Sequence, residues 1–494
     1  MIKNFKWLLL VSLTFAACSK EDATPVEAPV SPGSADFTKY VSLGNSLTAG
    51  YSDGALFKRG QEGSYPNLLA QQFAQVGGGA FTIPYCGDDN LGGLALGGMP
   101  IQNTRLTILG LLPSGRPNIG NVPGAPVTDI TNHLTGPFNN MGVPGAKSYH
   151  LAAPNYGNLA GVATGQANPY FARFASTPSA KVIDDAVAQN PTFFSLWIGN
   201  NDVLAYATSG GSGVNQTGNI NLASYGANDI TDPGVFANVY SGLVDAMTAN
   251  GAKGVVANIP YVTTIPFFTT VPYNPVPLDA ATANQLNAGY AAYNGGLAAA
   301  LNAGLISPEE KAKRTITFQA GNNAVVIVDS YLTPLAALGL PSYRQATSAD
   351  LMVLPAQNFI GTTVGGNPQQ VNGISVPLAD NWVLSKDEIA EIKVAVDAYN
   401  ASIKSIAEAK GLAFVDANAV MSQVFNGGIR YGNYHLSASY VVGGAFSLDG
   451  VHPSARGYAL IANKFVEAIN AKYGSTFKPL DLADYPIQFP AVIN

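Results

Sequence analysis

From about residue 40 to residue 474, short apolar runs alternate with longer segments whose apolar residues recur every three or four positions. Tyr40-Val-Ser-Leu43 is the first run, and Ser64 to Phe73 follows with helical spacing. Ala180 to Ala188 reads as a helix before the β-rich Thr192-Phe-Phe-Ser-Leu-Trp-Ile198. Phe236 to Ala249 does the same before Gly254-Val-Val-Ala-Asn-Ile259. The last two units are the clearest. Ser385 and Glu388 have capping-box spacing, and Ile389, Ile392, Val396, Tyr399, Ile403 and Ile406 share one face until Gly411 ends the helix. Leu412-Ala-Phe-Val415 is the next strand, and Pro453 opens a final helix with Ile461, Phe465 and Ile469 on one side and an end near Gly474.

This alternation predicts an α/β fold of three layers, a mostly parallel sheet covered by helices on both faces. In such sheets ligands collect at the carboxyl ends of the strands. Gly44-Asn-Ser46, Gly199-Asn-Asn-Asp202 and Asn258-Ile-Pro260 each follow a predicted strand, and Asp449 to Pro453 opens the final helix. These polar clusters are therefore expected on one rim.

Two long stretches break the pattern and read as insertions. Residues 86–137 are rich in Gly, Pro and Asn with short Leu and Ile runs. Residues 261–379 hold a helix with Leu286, Tyr290, Tyr293, Leu297 and Leu301 on one side, then predicted strands at Thr315–Phe318 and Ala324–Val328. Loops of this length are functional walls or disordered, and their apolar content predicts ordered walls. Ser307 to Arg314 reads as a solvated turn, and residues 475–494 as a C-terminal tail.

Charged residues make up 11% of the chain, well below the usual value of about 25%, so its polar surface rests on Asn, Ser, Thr and Gly. A net charge of −6 offers no basic stripe for phosphates and argues against nucleic acid as a partner.

The first residues change the picture of where the chain works. Lys3 and Lys6 precede an uncharged run from Trp7 to Ala17, too short to span a bilayer, which predicts a signal peptide over 1–17. Thr14-Phe-Ala-Ala-Cys18 resembles a bacterial lipobox, with Phe15 where Leu is usual. The resemblance implies lipidation of Cys18, a membrane anchor, and a place in the cell envelope of a Gram-negative bacterium, at the outer membrane or cell surface. Residues 18–36 then have the composition of a flexible tether. Cys86 is the one thiol left, expected to be buried and inert. His133, His150, His435 and His452 have no metal-ligand spacing, so no metal or other cofactor is expected.

Candidate chemistry centres on Ser46. A serine hydroxyl needs a base to take its proton, and a histidine near neutral pKa needs a carboxylate to orient it. Asp449 and His452, three residues apart on a turn, can supply both locally. Backbone amides at Ser46 and a glycine loop, with the Asn201 amide, would receive charge developing on a substrate oxygen. Ser52, in Gly50-Tyr-Ser-Asp-Gly54, satisfies Gly-x-Ser-x-Gly but lies too far past its strand for a nucleophile elbow. His435 lacks a carboxylate at the needed spacing.

Gly44-Asn-Ser-Leu47, Asn140-Met-Gly-Val-Pro-Gly-Ala146, Gly199-Asn-Asn-Asp202 and Asp449-Gly-Val-His-Pro453, in that order, resemble the four blocks of the GDSL or SGNH hydrolase superfamily. The resemblance implies a hydrolase domain over 37–474 with a five-stranded, flavodoxin-like sheet. It also implies Ser46 as nucleophile, His452 as base, Asp449 as orienter, and Ser46, Gly145 and Asn201 as oxyanion partners, with Gly142 the alternative to Gly145. Asn45 replaces the Asp usual in the first block. The expected activity is ester hydrolysis through an acyl-enzyme, on acyl esters or lipids. Deacetylation of a carbohydrate, or glycan binding without catalysis, stands as the alternative.

Overall fold

The computed structural model describes residues 29–87 and 89–493, so the predicted signal peptide and Cys18 lie outside the described residues. Five strands form the central sheet: β1 (Tyr40–Gly44), β2 (Asn140–Gly142), β3 (Phe193–Trp197), β4 (Lys253–Ala257) and β5 (Ala413–Val415). Their spatial order is β2-β1-β3-β4-β5, and all run parallel. Every residue of β1 and β3 is buried, as expected for strands covered on both faces. The chain leaves β1 towards β2 on one side and then returns to β3 on the other. That reversal opens a crevice at the carboxyl ends of β1 and β3.

Helices α1 (Ser46–Ala49), α2 (Tyr65–Ala74), α3 (Val182–Val187), α4 (Asn201–Thr208), α5 (Pro233–Thr248), α6 (Ala280–Asn302), α7 (Lys386–Ala409), α8 (Ala417–Phe425) and α9 (Ala455–Tyr473) supply the cover and the insertion walls. α2 and α9 pack on one face of the sheet, while α3, α5 and α7 pack on the other. The capping box of α7 forms as predicted: Glu388 N donates to Ser385 Oγ and Ser385 N to Glu388 Oε2. α9 starts two residues later than predicted. Ser454 caps it, leaving Pro453 just outside, and Gly474 ends it in the left-handed conformation.

Several segments differ from their sequence reading, each because a distant partner decides their structure. Ser307 to Arg314 is not a solvated turn but a helix over Pro308–Arg314, capped by Ser307. Arg314 is fully buried and donates to the carbonyls of Thr333 and Pro341. Thr315–Phe318 is extended but is no strand, because its backbone pairs with the side-chain amides of Asn287 and Asn294 on α6. Residues 31–35, within the predicted tether, are docked. Ser34 N donates to Tyr473 O at 2.8 Å, and Thr476 N to Ser31 O at 3.0 Å. The C-terminal tail is likewise part of the body, with Phe477 and Leu482 buried.

The 86–137 insertion folds as two hairpins, Leu94–Leu96 with Met99–Gln102 and Leu106–Leu111 with Pro117–Asn121. Among the described residues no helix is long and apolar enough to cross a membrane.

Candidate active site

Ser46 is the first residue of α1, immediately past β1, so its position is set by the edge of the sheet. Asn45 caps that single turn: its Oδ1 accepts from Leu47 N at 3.0 Å and its Nδ2 donates to Asn200 Oδ1 at 3.2 Å. The turn lies close on the neighbouring strand because Gly142 has no side chain. A Cβ there would come within 2.3 Å of Ala49 N.

The two ends of the chain meet at this serine. His452 Nε2 is 2.9 Å from Ser46 Oγ, and His452 Nδ1 is 2.8 Å from Asp449 Oδ2. The Asp449 carboxylate also accepts from Val451 N and His452 N at 2.8 Å, Gly54 N at 2.9 Å and Ser447 Oγ at 3.1 Å. Burial works against its charge, but the His452 ring and these donors outweigh burial and hold the carboxyl below the ordinary carboxylate range. The Tyr51 ring packs against the imidazole, with centroids 4.6 Å apart.

The other expected partners lie on the same rim. Asn201 opens α4 after β3, and its Nδ2 donates one hydrogen to Ala146 O at 2.9 Å. Gly145 is the exposed residue of an otherwise buried loop past β2, with φ of 80°, and neither its amide nor that of Ser46 has an acceptor among the described residues. Gly142, the alternative, is buried, and its amide already donates to Asn140 Oδ1. The Gly145 loop is fixed from behind: the buried Asp202 carboxylate accepts from Ser148 N and Oγ at 2.8 and 2.7 Å, and the buried Lys147 Nζ donates to Asp229 O at 2.7 Å.

The competing residues lie elsewhere. Ser52 is buried and donates to Pro453 O at 3.1 Å. His435 lies on a small hairpin and bonds Gly427 O. Burial and Lys147 push His150 down to about 4, and His133 bonds Ala175 O. Cys86 is buried, and burial raises its thiol although Arg173 lies beside it.

Ser46 and His452 line one part of a cleft. Its walls are apolar: Leu47, Trp197, Ile259, Val262, Val420, Met421, Leu460 and Ile461, from α1, the end of β3, the chain past β4, α8 and α9. Asn200, Asn201 and Tyr261 add polar groups to its lining.

Sequence reasoning missed the groups behind Asp449, namely Asp53, Gly54 and Ser447. The available signal was the Asp-Gly pair at 53–54, a strong marker of a tight turn.

Comparison with curated proteins gives no match. Among solved structures, an acetylxylan esterase from Geobacillus stearothermophilus is similar at 12% identity and a TM-score of 0.32, covering 88% of this chain and 96% of that one. An α/β-hydrolase from the metagenome of Lake Arreo, Spain, has the same identity, coverage and TM-score. An extracellular lipase from Streptomyces rimosus is similar at 14% identity and a TM-score of 0.29, covering 88% of this chain and 99% of that one. The family model of the GDSL-like lipase/acylhydrolases matches residues 40–465, which takes in the sheet, Ser46 and the 449–452 segment. The chain belongs to this family and is an ester-hydrolysing enzyme.

Proposed function

We propose that the protein hydrolyses carboxylic esters of aliphatic acyl groups through a covalent intermediate on Ser46. The continuous hydrogen-bonded line from Ser46 through His452 to Asp449, at 2.9 and 2.8 Å, carries this reading. Ser46 Oγ attacks the ester carbonyl while His452 Nε2 takes its proton, and Asp449 holds the ring through Nδ1. The amides of Ser46 and Gly145 and the second hydrogen of Asn201 Nδ2 receive the oxyanion, each such donor contributing about 10²–10³ in rate. Collapse of the intermediate expels the alcohol, which takes the proton from His452. Water then attacks the acyl-enzyme with His452 again as base, releasing the acid and restoring Ser46.

The apolar cleft favours an acyl chain over the alternatives of a sugar deacetylase or a glycan-binding protein, since its walls offer few hydrogen-bond partners for a carbohydrate. Each buried methylene contributes about 0.8 kcal/mol, so kcat/KM on p-nitrophenyl esters should rise about four-fold per added carbon until the cleft is full. A flat series with high activity on acetylated xylan would favour deacetylation. Ser46→Ala should lose at least about 10³-fold in rate. Parental activity in that variant removes the serine mechanism.

The envelope location belongs to the same proposal. It rests on the segment from Thr14 to Cys18 and is tested by incorporation of labelled palmitate, which Cys18→Ser should abolish.

A further inference from the structure

The Gly50–Gly54 motif holds a serine without a part in the mechanism and, beside it, a buried acid. Ser52 N and Ala55 N each donate to the other's carbonyl at 3.1 Å, and Asp53 and Gly54 between them have φ of 52° and 74°. This is a two-residue turn of the I′ kind, which requires positive φ at both central positions and favours Asp-Gly.

The polar groups of the turn converge on the segment that carries Asp449. Asp53 N donates to Ser447 Oγ at 2.9 Å, and Ser447 Oγ donates on to Asp449 Oδ1 at 3.1 Å. Gly54 N donates to Asp449 Oδ2, and Leu448 N to Asp53 Oδ1, both at 2.9 Å. Ser52 Oγ reaches Pro453 O. On the far side Leu106 N, from the 86–137 insertion, donates to Asp53 O at 2.7 Å.

A turn alone does not need an acid at position 53, since Asn or Gly adopts positive φ at least as readily. What the carboxyl adds is an acceptor for the Leu448 amide, beside the triad carboxylate and 1% exposed. Without it a buried N–H loses its partner.

We propose that Asp53 is a positioning residue for ester hydrolysis: its side chain and turn fix residues 447–449 so that Asp449 meets His452, with the 86–137 insertion bracing the turn. The proposal rests on Ser46 being the nucleophile. Asp449 and Tyr440 face Asp53 from the 440–449 segment and Arg105 from the insertion. Burial pushes the Asp53 carboxyl up to about 7; the Leu448 amide opposes the shift, Asp449 adds to it and Arg105 opposes it. Below that pH the pair of acids carries one negative charge, and above it two.

The test compares the full chain with Asp53→Gly and Asp53→Asn. Glycine suits the turn and keeps its backbone donors but removes the acceptor, whereas asparagine keeps an acceptor oxygen and never ionises. Asp53→Gly should lower kcat by about 10–100-fold with KM within about two-fold, the scale expected of a small misplacement of reacting groups. Asp53→Asn should recover kcat at pH 6 to within about three-fold and, because it lacks the charge that Asp53 gains near pH 7, move the step that the base His452 gives the pH–rate profile to lower pH than in the parent. Parental kcat in Asp53→Gly, or Asp53→Asn as slow as Asp53→Gly, overturns the proposal. If circular dichroism finds Asp53→Gly unfolded, the profile decides: a step in Asp53→Asn at the pH of the parent's overturns the proposal, and a step moved to lower pH upholds it. Fluorophosphonate labelling keeps the two readings apart. A parent that resists the label sinks the nucleophile reading, while a labelled parent with an indifferent Asp53 sinks the positioning role alone.

Discussion

On one side of Ser46 lies a cleft walled by the apolar side chains of Leu47, Trp197, Ile259, Val420 and Leu460. On the other lie the 52–55 turn and the 447–453 segment, joined by four hydrogen bonds and closed from behind by the insertion. The two flanks hold their shape in different ways. Apolar contacts are non-directional, so the cleft can exchange one side chain for another at modest cost. Hydrogen bonds are directional, and a buried donor left unpaired costs about 1–3 kcal/mol, so the polar flank fixes distances. Selection is expected to reside in the first flank and reaction geometry in the second.

The sharpest break is Asp449→Asn. The carboxamide keeps the shape of the polar flank but presents an N–H where two donors need acceptors, turning His452 away from its orientation. kcat should fall by about 10⁴-fold with KM little changed, measured on a short-chain ester at neutral pH. A loss shared equally between kcat and KM would mean that this flank also binds substrate.

Leu460→Trp attacks the apolar flank instead. A larger ring there takes up room in the cleft, so hydrolysis of an octanoyl ester should fall by about 10–50-fold while that of an acetyl ester stays within about three-fold. Equal losses on both esters would mean that the two flanks are not separable.

Asp53→Asn sharpens the comparison through pH and stability. An acid whose value rises from the ordinary 3.8 to about 7 on folding binds more protons in the folded state between those values. Its contribution is full at low pH and is lost as pH climbs through 7, by at most about 4 kcal/mol. The melting temperature of the variant should therefore gain on that of the parent between pH 4 and pH 8. A constant gap across that range would mean that the acid titrates as it does in water.

The sequence was most readable where chemistry is local. β1, β3 and α7 follow from apolar runs, periodicity and a capping box, and the rim follows from polar residues at strand ends. That is why Ser46, Asp449 and His452 could be expected to meet across 406 residues of chain. The polar flank was opaque because its partners are distant: nothing near Asp53 in sequence names Leu448 or Leu106. Arg314 was read as solvated for the same reason, since the carbonyls that bury it come from residues 333 and 341. Extended Thr315–Phe318 pairs with amides on a helix, a partner no strand pattern encodes.

Asn45, the departure from the usual first block, tests how far the polar flank extends. Its Oδ1 caps α1 through Leu47 N, a bond that an aspartate makes equally well, and Asn and Asp rank together at this position. Its Nδ2 donates to Asn200 Oδ1 on the turn before Asn201, and an ionised carboxylate cannot. Turning the Asn200 amide over would present a donor in place of the acceptor and restore the bond. Asn45→Asp should therefore change kcat by less than about three-fold, the smallest effect in this series, because the cap survives and the lost donor has a ready substitute. A loss above ten-fold would mean that Asn200 cannot turn, and that the link from Asn45 to Asn201 is as fixed as the one from Asp53 to Asp449.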